Sequence, residues 1–277
     1  MPASSDVPHR VEVTAMIAGS GVASTLRERW AGAVPSVAVA FSDATTDEAL
    51  SAFAAQGLDV AEIRIDQFSS AAVDHVVDHV HRFVAVRPRM ATLATIRSQG
   101  EGGAWDGSDR DRLALFERVL PLVDAVDVEW SSTAICAPVV AAARAQDKLA
   151  VVSRHDFDRT PSFEELEATA GAAREVGADY VKVAAWATSP GDLRTLAAFT
   201  VARAETGVIV VAMGDHGPAS RVLLPLIGSA LTYASASQSQ AMAPGQMSFQ
   251  ETFALLRRFS PGYAASHPVD DDEVGLP

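Results

Sequence analysis

The chain has 277 residues, 48% hydrophobic and 21% charged, ordinary globular values that exclude long disorder and fibrous repeats and leave ample material for a core. Its 35 acidic and 22 basic side chains give a net charge of −13, which repels a polyanion over most of the surface and speaks against nucleic acid as a partner. A single cysteine, Cys136, excludes an internal disulfide and a cysteine-rich zinc centre.

The opening residues MPASSDVPHR lack the charged start and long apolar run of a signal peptide, and no stretch approaches the ~20 apolar residues of a membrane span. The expectation is a cytoplasmic protein with no membrane partner. Residues 11–17 alternate and precede AGSG, which predicts a small hairpin closing one end of the domain. Short apolar, β-branched runs then recur at 36–41 (SVAVAF), 61–66 (AEIRID), 91–97 (ATLATIR) and 125–130 (AVDVEW). Four more follow at 149–155 (LAVVSRH), 180–186 (YVKVAAW), 208–214 (VIVVAMG) and 230–235 (ALTYAS). Successive starts lie 22 to 34 residues apart, room for a strand, a crossover helix and two loops.

Nearly continuous apolar character marks strands covered on both faces, as in a parallel sheet. The segments between them are amphipathic: within 71–84, Ala72, Val73, Val76, Val77, Val80, Phe83 and Val84 form one stripe. Eight such units predict an α/β fold of the (β/α)8 TIM barrel type, for which about 250 residues is typical. The rival, an open doubly wound sheet, lacks its glycine-rich turn after the first strand, where SDATTDEAL reads as a helix start. Residues 1–260 are read as one catalytic domain. Residues 261–277, with Pro261, Pro268 and the run Asp270 to Glu273, are read as a flexible acidic tail.

Barrel enzymes build their sites at the carboxyl ends of the strands, while the barrel interior is packed with apolar side chains. Ionisable residues there carry a desolvation cost and need an explanation. This chain has a ring of them, Glu62, Arg64 and Asp66, then Arg97 and Glu101, Glu129, His155, Lys182 and Arg221, joined by the polar but uncharged Gln246. Lys182 is one of two lysines, against twenty arginines, and sits between Val181 and Val183, so alternation turns it to the opposite face. Two readings stand equal: a desolvated amine that attacks a carbonyl, or an ion pair with a barrel carboxylate such as Glu129. His155 ends the preceding strand and supplies an acid and base near neutrality. Capping does not require it, because in HDFDRTPSFEEL Thr160 reads as the N-cap with Pro161 at the first helical position.

Glu101, among the glycines of SQGEGG, suits a carboxylate that fixes the imidazole tautomer, or an exposed loop acid. Arg97 and Arg221 suit a substrate carboxylate or a structural salt bridge. His75 and His79 lie one helical turn apart, with His81 nearby, but no third ligand is apparent and a solvated surface is the stronger reading, so no metal is expected.

The pieces AEIRID, TIRSQGEGG, DAVDVEW, SRHDFDRTP, ADYVKVA, AMGDHGPASR, GSALTYAS and APGQMS, in this order, resemble the type I 3-dehydroquinate dehydratase family of the shikimate and quinate routes. The resemblance implies a lyase that removes water from 3-dehydroquinate through a Schiff base on Lys182, by syn elimination, giving 3-dehydroshikimate. His155 is then the acid and base, and Glu101 its positioning carboxylate. Glu62, Arg64 and Gln246 bind substrate hydroxyls, Arg97 and Arg221 bind substrate and its carboxylate, and Met213 and Tyr233 pack around the ring. No cofactor is implied beyond the covalent imine, and the small-molecule substrate and a second copy of the chain in a homodimer are the expected partners. Two departures stand out: Met242 where the family often has serine, and Asp215 where it has a basic residue. They keep open an imine-forming lyase for an amino analogue of dehydroquinate. A non-catalytic quinate sensor, which should have lost the lysine or histidine, and a class I aldolase are weaker rivals.

Overall fold

The protein is represented by a computed structural model that describes residues 22–31, 34–86, 90–236 and 245–269. Its strands are β1 (Ser36–Phe41), β2 (Val60–Arg64), β3 (Ala91–Thr95), β4 (Ala125–Glu129), β5 (Leu149–Asp156), β6 (Tyr180–Trp186), β7 (Val208–Met213) and β8 (Leu231–Ala234). The helices are α1 (Val22–Ala31), α2 (Asp47–Ala55), α3 (Val73–Ala85), α4 (Asp109–Val119) and α5 (Cys136–Ala145). They continue with α6 (Phe163–Glu175), α7 (Pro190–Arg203), α8 (Gly217–Leu226), α9 (Phe249–Phe259) and α10 (Pro261–Ser266).

Every strand pairs parallel with its sequence neighbour from β1 to β7, and β8 pairs with β1. The seam between β7 and β8 is drawn together by Ala230, whose N–H donates to the Val208 carbonyl at 2.9 Å. The result is a nearly closed (β/α)8 barrel, as the strand spacing predicts. Residues 1–260 remain our proposal for a single domain.

Side-chain alternation divides the strands into two sets. Val126, Val128, Val181, Val183, Val210 and Ala212 face outward into the layer beneath the helices. Ala125, Leu149, Val151, Tyr180, Ile209 and Leu231 face inward and fill the lower barrel. One step up the same inward set are the polar residues Glu62, Thr95, Asp127, Ser153 and Lys182, all buried. The barrel is therefore apolar at its amino-terminal end and charged at its carboxyl end.

What plugs the lower end among the described residues is α1, whose Leu26 and Trp30 enter the inner cluster, the Trp30 ring standing edge-on to Tyr180 at 4.9 Å. The hairpin expected over 11–17 lies outside the described residues, as do Asp270 to Glu273 and Met242. The expected tail needs a correction at its start. Pro261 occupies the first turn of α10, Ser260 caps that helix, and Tyr263 is fully buried, its hydroxyl reaching Asp59 at 3.3 Å. A proline that reads as a chain breaker is here a helix initiator.

Two local expectations also shift. On α3 only Val76, Val80 and Phe83 are buried, while Val73 is exposed, so the apolar stripe is narrower than the sequence suggests. The N-cap of α6 is Ser162, in a capping box with Glu165; Thr160 instead donates from Oγ1 to the Trp186 carbonyl at 2.8 Å, tying the β5–α6 connection to β6. Among the described residues no helix is long and apolar enough to cross a membrane.

Candidate active site

The ten residues to which the resemblance gives roles, Glu62, Arg64, Arg97, Glu101, His155, Lys182, Met213, Arg221, Tyr233 and Gln246, line one cavity of about 120 Å³ at the carboxyl ends of the strands, whereas Asp66 and Glu129 of the polar ring do not line it. A larger depression of about 590 Å³ lies outside it, between the β2–α3 and β3–α4 connections, and its lining contains acids but neither lysine nor histidine. Chemistry, not size, separates the two.

Lys182 projects inward from the middle of β6, level with Ser153 on β5. Its Nζ donates to Asp127 Oδ2 at 2.9 Å and to Tyr233 Oη at 2.9 Å, and lies 3.7 Å from Glu62 Oε1. The ion-pair reading is thus right in kind, but the partner is Asp127 rather than Glu129. Glu129 stands two residues further along β4 and is taken by Arg112, Ser132 and the Ser98 N–H. Burial alone would raise the Asp127 carboxyl, but Arg97 and Lys182 hold it far below the usual carboxylate range. Burial pushes the Tyr233 phenol well up, with Glu62 and Asp127 adding to it, so the hydroxyl stays neutral. Tyr233 is therefore more than ring packing: its oxygen fixes the amine.

His155 caps the same row of inward residues one step above Ser153. Its Nδ1 and its backbone N–H both lie 2.9 Å from Glu101 Oε2, and Ser131 donates to the other carboxylate oxygen. The partner assigns the proton to Nδ1 and leaves the Nε2 lone pair to the cavity. Burial, then the cations of Arg97 and Lys182, drive the imidazole well below 6.5, so it is neutral at pH 7. Burial also raises the Glu101 carboxyl. Glu101 sits where it does because Gly102 adopts a left-handed φ of 76° and Gly103 lies against the Arg97 backbone, where a Cβ would clash at 2.1 Å.

The two arginines differ. Arg97 donates to Asp127 at 2.8 Å and Ser153 at 2.6 Å and lies 3.2 Å from Glu129. Arg221, on α8, is equally buried, yet among the described residues its hydrogen bonds go to the carbonyls of Tyr233, Ala212 and Gly245 and to no carboxylate. Burial brings it down to about 10. Arg64 is held by both oxygens of Asp66, at 2.9 and 2.8 Å, which also accepts from the Ala104 N–H. Glu62 accepts from Thr95 Oγ1 at 2.9 Å, and Met213 and Gln246 complete the wall.

Sequence reasoning missed Asp127, Arg112 and Phe157. Phe157 is 44% exposed, lines the cavity, and its ring is nearly parallel to that of His155 at 6.5 Å. Asp215, one of the two departures, is exposed and does not line the cavity.

Comparisons with known proteins agree on one family. Residues 36–260 match the family model described as type I 3-dehydroquinase. The 3-dehydroquinate dehydratase of Methanosarcina barkeri is 34% identical over 209 residues, 73% of this chain and 86% of that one. That of Methanosarcina acetivorans is 36% identical over the same shares. Among solved structures, the enzyme of Geobacillus kaustophilus superposes with a TM-score of 0.76 at 29% identity, covering 83% of this chain and 93% of that one. The type I enzyme of Clostridium difficile, solved with covalently modified comenic acid, has the same TM-score and the same shares at 26% identity.

Proposed function

The chain belongs to the type I 3-dehydroquinase family and dehydrates 3-dehydroquinate, and we propose that it does so through an imine on Lys182, with His155 moving every proton. The observation that carries the reading is the meeting of three groups in one cavity: an amine fixed by Asp127 and Tyr233, a neutral imidazole, and a guanidinium with no acidic partner among the described residues. Arg221 takes the substrate carboxylate, since the incoming anion supplies the pairing that the protein withholds. Glu62, Arg64 and Gln246 address the ring hydroxyls, and Met213 and Tyr233 bound the ring.

The ammonium of Lys182 first gives a proton to His155, and the freed amine adds to the C3 ketone. His155 returns that proton to the departing carbinolamine hydroxyl, so ammonium and ketone become iminium and water with no net proton change. The iminium draws electrons and acidifies the C2 hydrogen, which the again neutral His155 removes. The enamine then expels the C1 hydroxyl, protonated by the same imidazolium, as water. Syn elimination follows because one group serves both steps from one face. Hydrolysis of the imine returns the lysine and releases 3-dehydroshikimate. Glu101 holds the imidazole in one tautomer throughout and stabilises its charged form.

The family is cofactor-free, and here the imine supplies the electron sink that a cofactor would otherwise bring. A cytoplasmic location and a homodimer belong to the same proposal. The test is reduction by borohydride in the presence of 3-dehydroquinate, followed by peptide mapping. A mass increase on the peptide carrying residue 182 is expected; an unmodified peptide with full turnover would overturn the imine.

A further inference from the structure

Outside the cavity, the same rim of the barrel gathers a carboxylate and two imidazoles. Asp43 follows β1, and its Oδ2 accepts from the Ser69 N–H at 2.7 Å and from Ser69 Oγ at 2.5 Å. The same oxygen lies 2.9 Å from Nε2 of His75, in the first turn of α3. His79 is one turn further along, with its Nδ1 2.8 Å from the carbonyl of His75. That bond places the proton on Nδ1 and leaves Nε2 with a lone pair and no hydrogen-bond partner among the described residues. The two rings lie 4.1 Å apart, tilted by 37°, and Phe68 meets each edge to face, at 6.2 and 5.8 Å.

We propose that Asp43, His75 and His79 form a site for a divalent transition metal of the zinc class, with water completing the coordination. One ligand atom from each residue lies within 4.8 Å of the others. In a tetrahedral zinc site, with bonds near 2.0–2.1 Å, ligand atoms stand about 3.3 Å apart, so the widest pair has only about 1.5 Å to close. Two imidazoles and one carboxylate suit Zn(II), Co(II), Ni(II) or Cu(II) over the oxygen-seeking Mg(II) and Ca(II).

A simple ion pair accounts for Asp43 and His75. It does not account for His79, whose tautomer is set by a backbone carbonyl in the manner usual for metal-ligating histidines. Ser69 plays the corresponding part for the carboxylate, and Phe68 shields one side. The helix by itself offers two ligands; the third comes from a residue 32 positions before His75. Bound metal ties the β1–α2 connection to α3, close to the Arg64–Asp66 pair at the cavity wall.

The experiment uses the full chain without a histidine tag, stripped of metal and titrated with Co(II), then with Zn(II). The expected result is one equivalent of Co(II) with visible d–d bands, displaced by Zn(II), and a Tm that rises with Zn(II) concentration. His79→Gln and Asp43→Asn should each weaken Co(II) binding by more than about tenfold, while His81→Gln, on the exposed side of α3, should leave it unchanged. Dehydratase activity of all three without metal should match the parent. Absence of the d–d bands, or parental affinity in His79→Gln, overturns the site. Should Asp43→Asn fail to fold, His79→Gln decides alone.

Discussion

Arg97 and Arg221 are both buried cations on the same cavity, yet their surroundings are opposite. Around Arg97 the charges close on themselves: Asp127, Glu129 and Ser153 take the guanidinium, and Asp127 passes its other oxygen to Lys182. Around Arg221, among the described residues, the hydrogen-bond partners are backbone carbonyls. Desolvating a cation is costly in either place, but only the first is compensated within the chain. One wall is therefore a finished structure that aims a nucleophile, and the other is an unfinished one that an anion completes.

The sharpest way to test that contrast is Lys182→Met. Turnover should fall by more than about 10⁴-fold, while Tm moves little because Asp127 keeps Arg97 and Ser153. A large loss of stability would mean that the wall is not closed without the lysine. His155→Ala should cost about 10²–10⁴-fold in kcat, with borohydride trapping of the imine slowed but still detectable.

Arg97→Met and Arg221→Met should then separate the two walls directly. The first leaves buried Asp127 with Lys182 and Ser153, and buried Glu129 with Arg112, but takes a cation from each, and should cost about 3 kcal/mol, read by urea denaturation. The second should be milder for stability but should raise KM for the carboxylate substrate by about 30-fold or more. Equal stability losses would erase the distinction. Tyr233→Phe keeps the ring and removes the hydroxyl bond to Nζ, and a several-fold fall in kcat, roughly the worth of one net hydrogen bond of about 1 kcal/mol, is expected.

The pH dependence gives the smallest effect. Because His155 is held below 6.5, the acid limb of kcat/KM should begin below that value, and activity should be flat through it. The stability sign agrees: as pH falls below about 6.5 the unfolded chain binds this proton first, so the associated stability, present above 6.5, is lost as pH drops through the folded value. A limb at or above 6.5 would place the imidazole in water.

The barrel was legible because its strands are nearly continuous apolar runs, and the site because Lys182 and His155 interrupt those runs on the inward face. Asp127 escaped notice for a physical reason. It shares its strand and its facing with Glu129, and register through β5 puts Glu129, not Asp127, level with the lysine. Asp127 becomes the partner because Arg112, Ser132 and the Ser98 N–H already hold Glu129 while Nζ reaches Asp127 Oδ2 at 2.9 Å. Arg112 sits among the run of charges Asp109, Arg110 and Asp111 that opens α4, where nothing in the sequence marks it out, yet it is buried against Glu129 and the Ile96 carbonyl. Tyr263 and the cap at Ser162 were hidden by prolines whose role, breaking or starting a helix, depends on the preceding residue's conformation. The partners of His75 and His79 could not be read from one helix, because the carboxylate comes from another connection.

Beneath the barrel, Asp59 accepts from the Val37 N–H at 2.8 Å, from Arg29 on α1 and from Tyr263, and lies 2.9 Å from His267. Segments near both extremities of the described chain thus converge on one buried carboxylate at the floor of the molecule. Force applied through α1 and α10 would load this clasp, and the mechanical strength of that junction would be set far from the chemistry.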